Sequence, residues 1–330
     1  MRFGPEPVAK AAGSVLAHSQ DVPGGRLRKG RVLDPADLAA LAAAGLAEVT
    51  VARLDPGDVA EDAAALALAQ ALVAGGAGLR LAPVGTGRVN IHATGPGVVR
   101  IDAAAIHAAN AVDPMVTIAT VPEWQRVAEG TMVATVKIIA WAVAGAALAR
   151  ACAAAAGALA HCPPVLADAV LVETTIGGAA PLPKGRKATE QRLARLGLRL
   201  AHHAAVPHRV PALAAALAAA PAAGMVLILT GSATSDPQDV APAAVRAAGG
   251  QVEHVGMPVD PGNLLFLGRF RGQPLIGLPG CARSPALNGA DWVLERLACG
   301  VPVGAADIQR MGVGGLLMEI PTRPQPRDPG

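Results

Sequence analysis

The chain has 330 residues, a formal net charge of +3 and 52% hydrophobic residues, with three Phe, three Trp and no Tyr. That length suits two domains of about 100–200 residues each. So small a charge and so few aromatic rings exclude nucleic acid as the expected partner, because neither a phosphate-neutralising surface nor base-stacking platforms are supplied. Four cysteines without C-x-x-C or zinc-finger spacing, and eight histidines without H-E-x-x-H, offer no metal cage and fit a reduced, cytoplasmic chain.

Met1–Ser19 holds Glu6, Lys10 and His18 and lacks the compact apolar run of a secretory signal. Arg26–Ala52 predicts a basic turn, a helix capped near Asp34 with Pro35 at its first position, a stop at Gly45 and a strand over Val49–Val51. From Leu79 to Ala144, short β-like pieces (RVNIHA, VVRID, MVTIAT, TMVATVKIIAW) alternate with Gly and Pro turns, which predicts a small, mostly β subdomain. The most membrane-like stretch, Ile138–Ala160, is mostly Ala and Gly with Arg150 near its middle. An arginine there costs about 2.5–3.5 kcal/mol on insertion scales, so the stretch reads as a helix between domains, ending before Pro163-Pro164, and no membrane partner is expected.

The C-terminal half alternates strand and helix. Asp168–Thr175 (DAVLVETT) is a strand ending in Glu173, Thr174 and Thr175, followed by the glycine-rich IGGAAPLPKG and a helical RKATEQRLARLG. A strand LRLAHHAAV, a helix over Pro211–Ala220 and a strand MVLILT over Met225–Thr230 repeat the pattern. The alternation predicts a parallel sheet covered by helices on both faces. The fold class is therefore α/β, with a C-terminal three-layer α/β/α domain and a mostly parallel sheet, plus an N-terminal α+β region. The expected boundaries are residues 1–165, 166–320 and a Pro-rich tail over 321–330 (PTRPQPRDPG), a linker or frayed end with no nucleotidyltransferase glycine-rich loop after it.

Three loops carry the chemistry. ILTGSATSDPQDV at Ile228–Val240 runs from a buried-type strand through small and hydroxylated residues to acids at a helix start. Such a unit places backbone N–H donors at the carboxyl edge of a parallel sheet, where anions collect. GMPVDPGNLLFLG at Gly256–Gly268 and LIGLPGCARSP at Leu275–Pro285 also join apolar runs to Pro-Gly breaks, as strand-end turns do. No strict G-x-G-x-x-G or G-x-x-x-x-G-K-[ST] is present, which leaves nicotinamide and ATPase readings without a motif.

In this order the three loops resemble those of the molybdopterin-binding domain shared by molybdenum insertases and molybdopterin adenylyltransferases, T-G-G-x-S-x-G-x-x-D, P-G-K-P and L-P-G-N-P. The first matches at Thr230, Gly231 and Asp239, with Thr234 in the serine place; the second at Pro261 and Gly262; the third at Leu278, Pro279 and Gly280. Ser232 and Asp236 stand in place of glycines, Asn263 in place of the lysine and Cys281 in place of the asparagine. A lysine is a compact charge suited to phosphate, whereas Asn263 offers a neutral amide. The resemblance implies ligand contacts from Thr174, Thr175, Gly177, Gly178, Thr230, Gly231, Ser232, Thr234, Pro261, Gly262, Asn263, Pro279, Gly280, Cys281 and Ser284. Lys184, Arg186 and Lys187 either neutralise phosphate or form a solvated basic loop.

Asp239 and Asp236 are the candidates for Mg²⁺ or for the catalytic role, since hard cations that bridge phosphates need carboxylate oxygens. Asp239 is equally explained as a helix cap, and Cys281 as a small packed residue. Residues of about 25–53 resemble the insertase segment that precedes this domain, whose helix ends in G-x-x-x-V-x-V, but the insertase D-G-Y-A lid has no counterpart. The whole chain is similar to bacterial proteins in which this arrangement precedes a molybdopterin nucleotidyltransferase domain. The resemblance thus implies a cofactor-biosynthesis protein that binds molybdopterin or its nucleotide, with a nucleotidyltransferase as partner. It leaves open whether the chain is a transferase or a binding module, which nucleotide it meets, and its oligomeric state.

Overall fold

The computed structural model describes residues 1–177 and 182–317. It divides into two compact units. The first comprises Met1–Thr94, Val99–Gln125 and Glu129–His161; the second comprises Gly95–Val98, Arg126–Ala128 and the chain from Cys162 onward.

In the first unit, strands Arg2–Pro7 and Val15–Leu16 flank Glu48–Arg53 in an antiparallel sheet. The helix Pro35–Ala43 starts as its sequence dictates. Asp34 accepts from the Asp37 N–H at 2.9 Å while Asp37 accepts from the Asp34 N–H at 3.2 Å, a reciprocal cap that satisfies two otherwise orphaned donors. Gly45, at φ +78°, turns the chain beyond the helix where a side chain would be strained. Val8, Leu16, Leu33, Leu41, Val49 and Val51 form the core between these elements.

A second antiparallel sheet runs Val116–Thr120, Met132–Ile138, Arg88–Ala93, Leu79–Leu81. Helix Glu61–Leu72 packs on its two central strands, and helix Ala103–Asn110 interrupts the β-like run that the sequence suggested. The Ala-rich stretch also departs from its expectation as one helix between domains. It holds strand Ala142–Ala144, helix Gly145–Ala155 and strand Leu159–Cys162. Ala147, Leu148, Ala151 and Ala155 are buried, because alanines allow this helix to approach helices Glu61–Leu72 and Ala103–Asn110 closely. Among the described residues no helix is long and apolar enough to cross a membrane.

The second unit is an α/β layer structure. Its elements are β1 (Asp168–Thr175), α1 (Pro183–Ala194), β2 (Arg199–Pro207), α2 (Val210–Ala219), β3 (Met225–Leu229), α3 (Val240–Ala247), β4 (Gln251–Val255), β5 (Phe266–Phe270), β6 (Gln273–Leu278), α4 (Gly289–Ala298) and α5 (Ala305–Arg310). The strand order is β2-β1-β3-β6-β5-β4. The β2–β1, β1–β3 and β3–β6 pairings are parallel, and β5 runs antiparallel to both β6 and β4. Val170, Val172, Val226, Ile228, Leu213, Leu217, Ala244, Val245 and Phe266 build one core layer against α2 and α3. The aliphatic runs of β1 and β3 are buried on both faces, as parallel strands require.

The antiparallel part of the mostly parallel sheet comes from β5. The loop that opens at Gly256 follows the end of β4, and the apolar run after it becomes β5, which pairs antiparallel with β6 through the tight turn at Arg271-Gly272.

Helix α4 contains a buried acid. Burial, and secondarily the neighbouring Asp291 carboxylate, push Glu295 up to about 8, against the pull of Arg126 at 3.0 Å. A carboxyl group raised in the folded state contributes stability that is fully present below its unfolded value near 4.5 and is lost as pH rises through about 8. Glu295→Gln should therefore flatten the pH dependence of unfolding free energy across that window, where one linked proton changes the slope by up to about 1.4 kcal/mol per pH unit. Denaturant titrations at pH 5, 6, 7 and 8 read the slope directly, and parallel wild-type and variant curves would refute it.

Candidate functional site

The three adjacent parallel strands β1, β3 and β6 end at one edge of the sheet. The loop before β5 reaches that edge too, because Phe266 at the start of β5 pairs with Gly277 near the end of β6. Topology alone thus gathers the loops at 174–177, 230–239, 258–265 and 279–288. Specific bonds then lock them together.

Thr174 is buried at the end of β1, and its Oγ1 accepts from the Gly231 N–H at 2.9 Å and lies 2.8 Å from His208 Nδ1. Gly231 is obligatory there: a Cβ would stand 2.7 Å from the Thr174 carbonyl oxygen, a backbone atom that cannot swing away. Thr230 is buried; its hydroxyl donates to the Ser232 carbonyl at 2.5 Å, and its own carbonyl accepts from Arg283 Nη2 at 2.6 Å. That bond ties the β3 loop to the β6 loop. Pro261 accepts from the Gly289 N–H at 2.8 Å, and Gly262, at φ +146°, has the Gly289 nitrogen 2.8 Å from where a Cβ would be, so the second loop packs backbone to backbone on the start of α4.

The third loop is held from beneath by Arg192 of α1. Its Nε donates to Asp291 at 2.5 Å, Nη1 to the Ala282 carbonyl at 2.7 Å, and Nη2 to the Ser284 and Ala286 carbonyls at 2.8 and 3.1 Å. The side chain is 2% exposed. Asp291 in turn caps α4 by accepting from the Asn288 N–H at 2.8 Å. One guanidinium fork therefore organises the whole segment between β6 and α4.

The remaining sequence candidates fall into place around this framework. Thr175 hydrogen-bonds the Val206 carbonyl at 3.5 Å, and Gly177 turns the chain beyond it at φ +69°. Gly178 lies outside the described residues. Thr234 is buried, while Ser232, Asn263, Gly280, Cys281 and Ser284 are exposed on the rim, and Pro279 is buried below it. Asn263 donates to the Met257 carbonyl at 3.5 Å and accepts from the Met257 N–H at 2.9 Å through its own carbonyl, so it shapes its loop. Lys184, Arg186 and Lys187 are exposed at the start of α1, where Arg186 pairs with Glu190 at 2.8 Å.

Asp239 caps α3. One carboxylate oxygen accepts from Val240 N–H at 2.6 Å and the other from Ser235 N–H at 3.2 Å. Asp236 accepts from Gln238 N–H at 2.7 Å with one oxygen only. Among the described residues no group of three His, Cys, Asp or Glu side chains could hold a metal ion.

Residues that the sequence did not single out as ligands also sit at this edge. His208 follows β2 and joins Thr174, and Glu173 is buried beneath it with His203 Nε2 2.8 Å away. Arg192 had a local signal: Gly185, Ala188, Thr189, Arg192 and Leu193 share the buried stripe of α1, so an arginine occupied a core position.

Residues 186–298 match the family described as "Probable molybdopterin binding domain", and residues 5–53 match a "Domain of unknown function (DUF8806)". No curated protein matches the chain. Among solved structures, a molybdopterin biosynthesis moea protein from Pyrococcus horikosii is 14% identical, with 91% of this chain and 75% of that chain covered at a TM-score of 0.32. A molybdenum cofactor biosynthesis protein from Pyrococcus furiosus is 13% identical, with 92% and 66% covered at a TM-score of 0.27. The family match spans Arg192, His208 and the loops after β3, before β5 and after β6, so the resemblance read from those loops holds: residues 186–298 of this chain match the molybdopterin-binding domain family.

Proposed function

We propose that the second unit binds molybdopterin, or its nucleotide, at the carboxyl edge of its sheet, as a step in molybdenum cofactor biosynthesis. The observation that carries this reading is the locking of three loops into one surface by the Gly231–Thr174, Arg283–Thr230 and Gly289–Pro261 bonds. Their backbone donors and small residues suit a flat, phosphate-bearing ligand. The family match over 186–298 supports the same ligand.

The chain acts as a presenting module more than as a transferase in this reading. One oxygen of Asp239 caps α3 and the other accepts from the loop N–H of Ser235, and the neutral Asn263 supplies no charge to a transferring group. Mg²⁺ enters as an ion borne by the ligand. Among the described residues Asp236 has one oxygen without a hydrogen bond, and a phosphate-bridging Mg²⁺ takes only one or two carboxylates. A cytoplasmic molybdopterin nucleotidyltransferase is the partner that would receive the pterin.

A reconstituted assay with molybdopterin, ATP or CTP, Mg²⁺ and molybdate tests the division. The chain alone should bind pterin yet turn over slowly, and an added molybdopterin nucleotidyltransferase should raise product formation. Rapid turnover by the chain alone would restore the transferase reading.

A further inference from the structure

We propose that Arg283 is the cation that recognises the phosphate group of the bound ligand; this rests on the pterin-binding reading and names the residue that selects a phosphorylated over a phosphate-free ligand. Arg283 closes the 3₁₀ turn Gly280–Arg283 directly after β6. It is half-buried, yet among the described residues no carboxylate lies within ion-pair distance of it. Among the described residues its one hydrogen-bond acceptor is the neutral Thr230 carbonyl, 2.6 Å from Nη2.

That pattern differs from the other basic side chains ordered around it. Arg192 is neutralised by Asp291 at 2.5 Å and Arg186 by Glu190 at 2.8 Å. A guanidinium carries five N–H donors in a rigid fork, and Arg283 commits only Nη2. A partly desolvated cation held in one pose with donors to spare costs free energy unless an anion completes it.

The pose aims those donors at the loop cluster. Nη1 stands 3.8 Å from where a Cβ on Gly280 would be, so the guanidinium lies over the bare backbone of the third loop. The stem is held on its other side, where a Cβ on Gly185 would meet Glu173 Oε1 and Leu229 Cδ2, each at 2.8 Å, and Arg283 Cγ at 3.4 Å; that Glu173 carboxylate is engaged by His203 Nε2 at 2.8 Å and makes no ion pair with Arg283. Gly185 belongs to the first turn of the twelve-residue helix α1, whose positive end adds to the local field. Arg283 is thus fixed between β3, β6 and α1, with Nε and Nη1 uncommitted. The N–H donors left on Nη1, next to the bound Nη2, suit the oxygens of a phosphate monoester or a diphosphate.

The test titrates the full chain, wild type and with Arg283→Met or Arg283→Lys, with three probes: molybdopterin, the same pterin after phosphatase treatment, and inorganic pyrophosphate. Arg283→Met breaks the tie to Thr230 and so weakens both pterins to some degree, but it should weaken molybdopterin and pyrophosphate binding by about tenfold or more beyond the loss seen for the dephosphorylated pterin, the scale of a lost charge-assisted bond. Arg283→Lys should recover part of the loss, because it keeps the charge without the fork. Equal weakening of both pterins would reduce Arg283 to a structural tie and overturn the inference, as would unchanged affinity for all three probes. If wild type binds neither pterin, the pterin reading fails on its own, while an Arg283-dependent pyrophosphate affinity would still sustain the anion site.

Discussion

Gly231→Val is expected to abolish pterin binding, lowering affinity by about a hundredfold or more while the rest of the second unit folds. The new Cβ would sit 2.7 Å from the Thr174 carbonyl oxygen and 3.3 Å from the Thr174 carbonyl carbon and Thr175 Cα. All three are backbone atoms at the end of β1, which is hydrogen-bonded between β2 and β3, and cannot rotate aside. The loop after β3 must therefore move, which breaks the Gly231 N–H bond to Thr174 Oγ1 and shifts the Thr230 carbonyl that anchors Arg283. Overpacking of this kind costs about 1–3 kcal/mol, less than most domains can tolerate. Equilibrium titration with molybdopterin, paired with a thermal melt, separates loss of the site from loss of the fold. A folded variant with unchanged affinity would place the ligand elsewhere.

Arg192→Met should have the largest effect on stability, about 3–5 kcal/mol, the range for removing one partner of a buried ion pair. Asp291 would be left ionised and buried, and the Ala282, Ser284 and Ala286 carbonyls would lose their donors. Lysine cannot substitute, since one ammonium cannot span an acid and three carbonyls held in a planar fork. The loss should be coupled to Asp291. Arg192→Met combined with Asp291→Asn should cost less than the sum of the single changes, because the second removes the uncompensated charge that the first creates. Urea unfolding of the four proteins measures this, and a single-variant loss below about 1 kcal/mol would contradict the role assigned to Arg192.

Local rules made much of the fold legible. Asp34, Pro35 and Gly45 bracket one helix by capping chemistry alone, and the aliphatic runs of β1 and β3 declare strands buried on both faces. The loop-bearing edge was legible because small residues follow those strands directly. The return of β5 was not, since LLFLG reads as well before a turn as after one, and only pairing with β6 decides its direction.

The charges that organise the site were harder to see, for a physical reason. Arg192 falls on the apolar stripe of its helix, but nothing local names the partner 99 positions away that makes a buried arginine tenable. His208 and Arg283 gain their roles only when β2 pairs with β1 and β3 with β6. Asp239 carried two meanings at once, and its bonds to Val240 and Ser235 favour the cap. Short-range signals identify backbone geometry; which polar groups meet across the sheet edge depends on strand order.

The most direct measurement is the pterin content of the chain itself. Protein purified from a host that makes molybdenum cofactor, denatured and oxidised, should release a fluorescent pterin derivative in an amount approaching one per chain, and Gly231→Val protein prepared in parallel should release none. Folded wild-type protein that neither carries a pterin nor takes one up when molybdopterin is added would contradict the assignment of the sheet edge as its binding site.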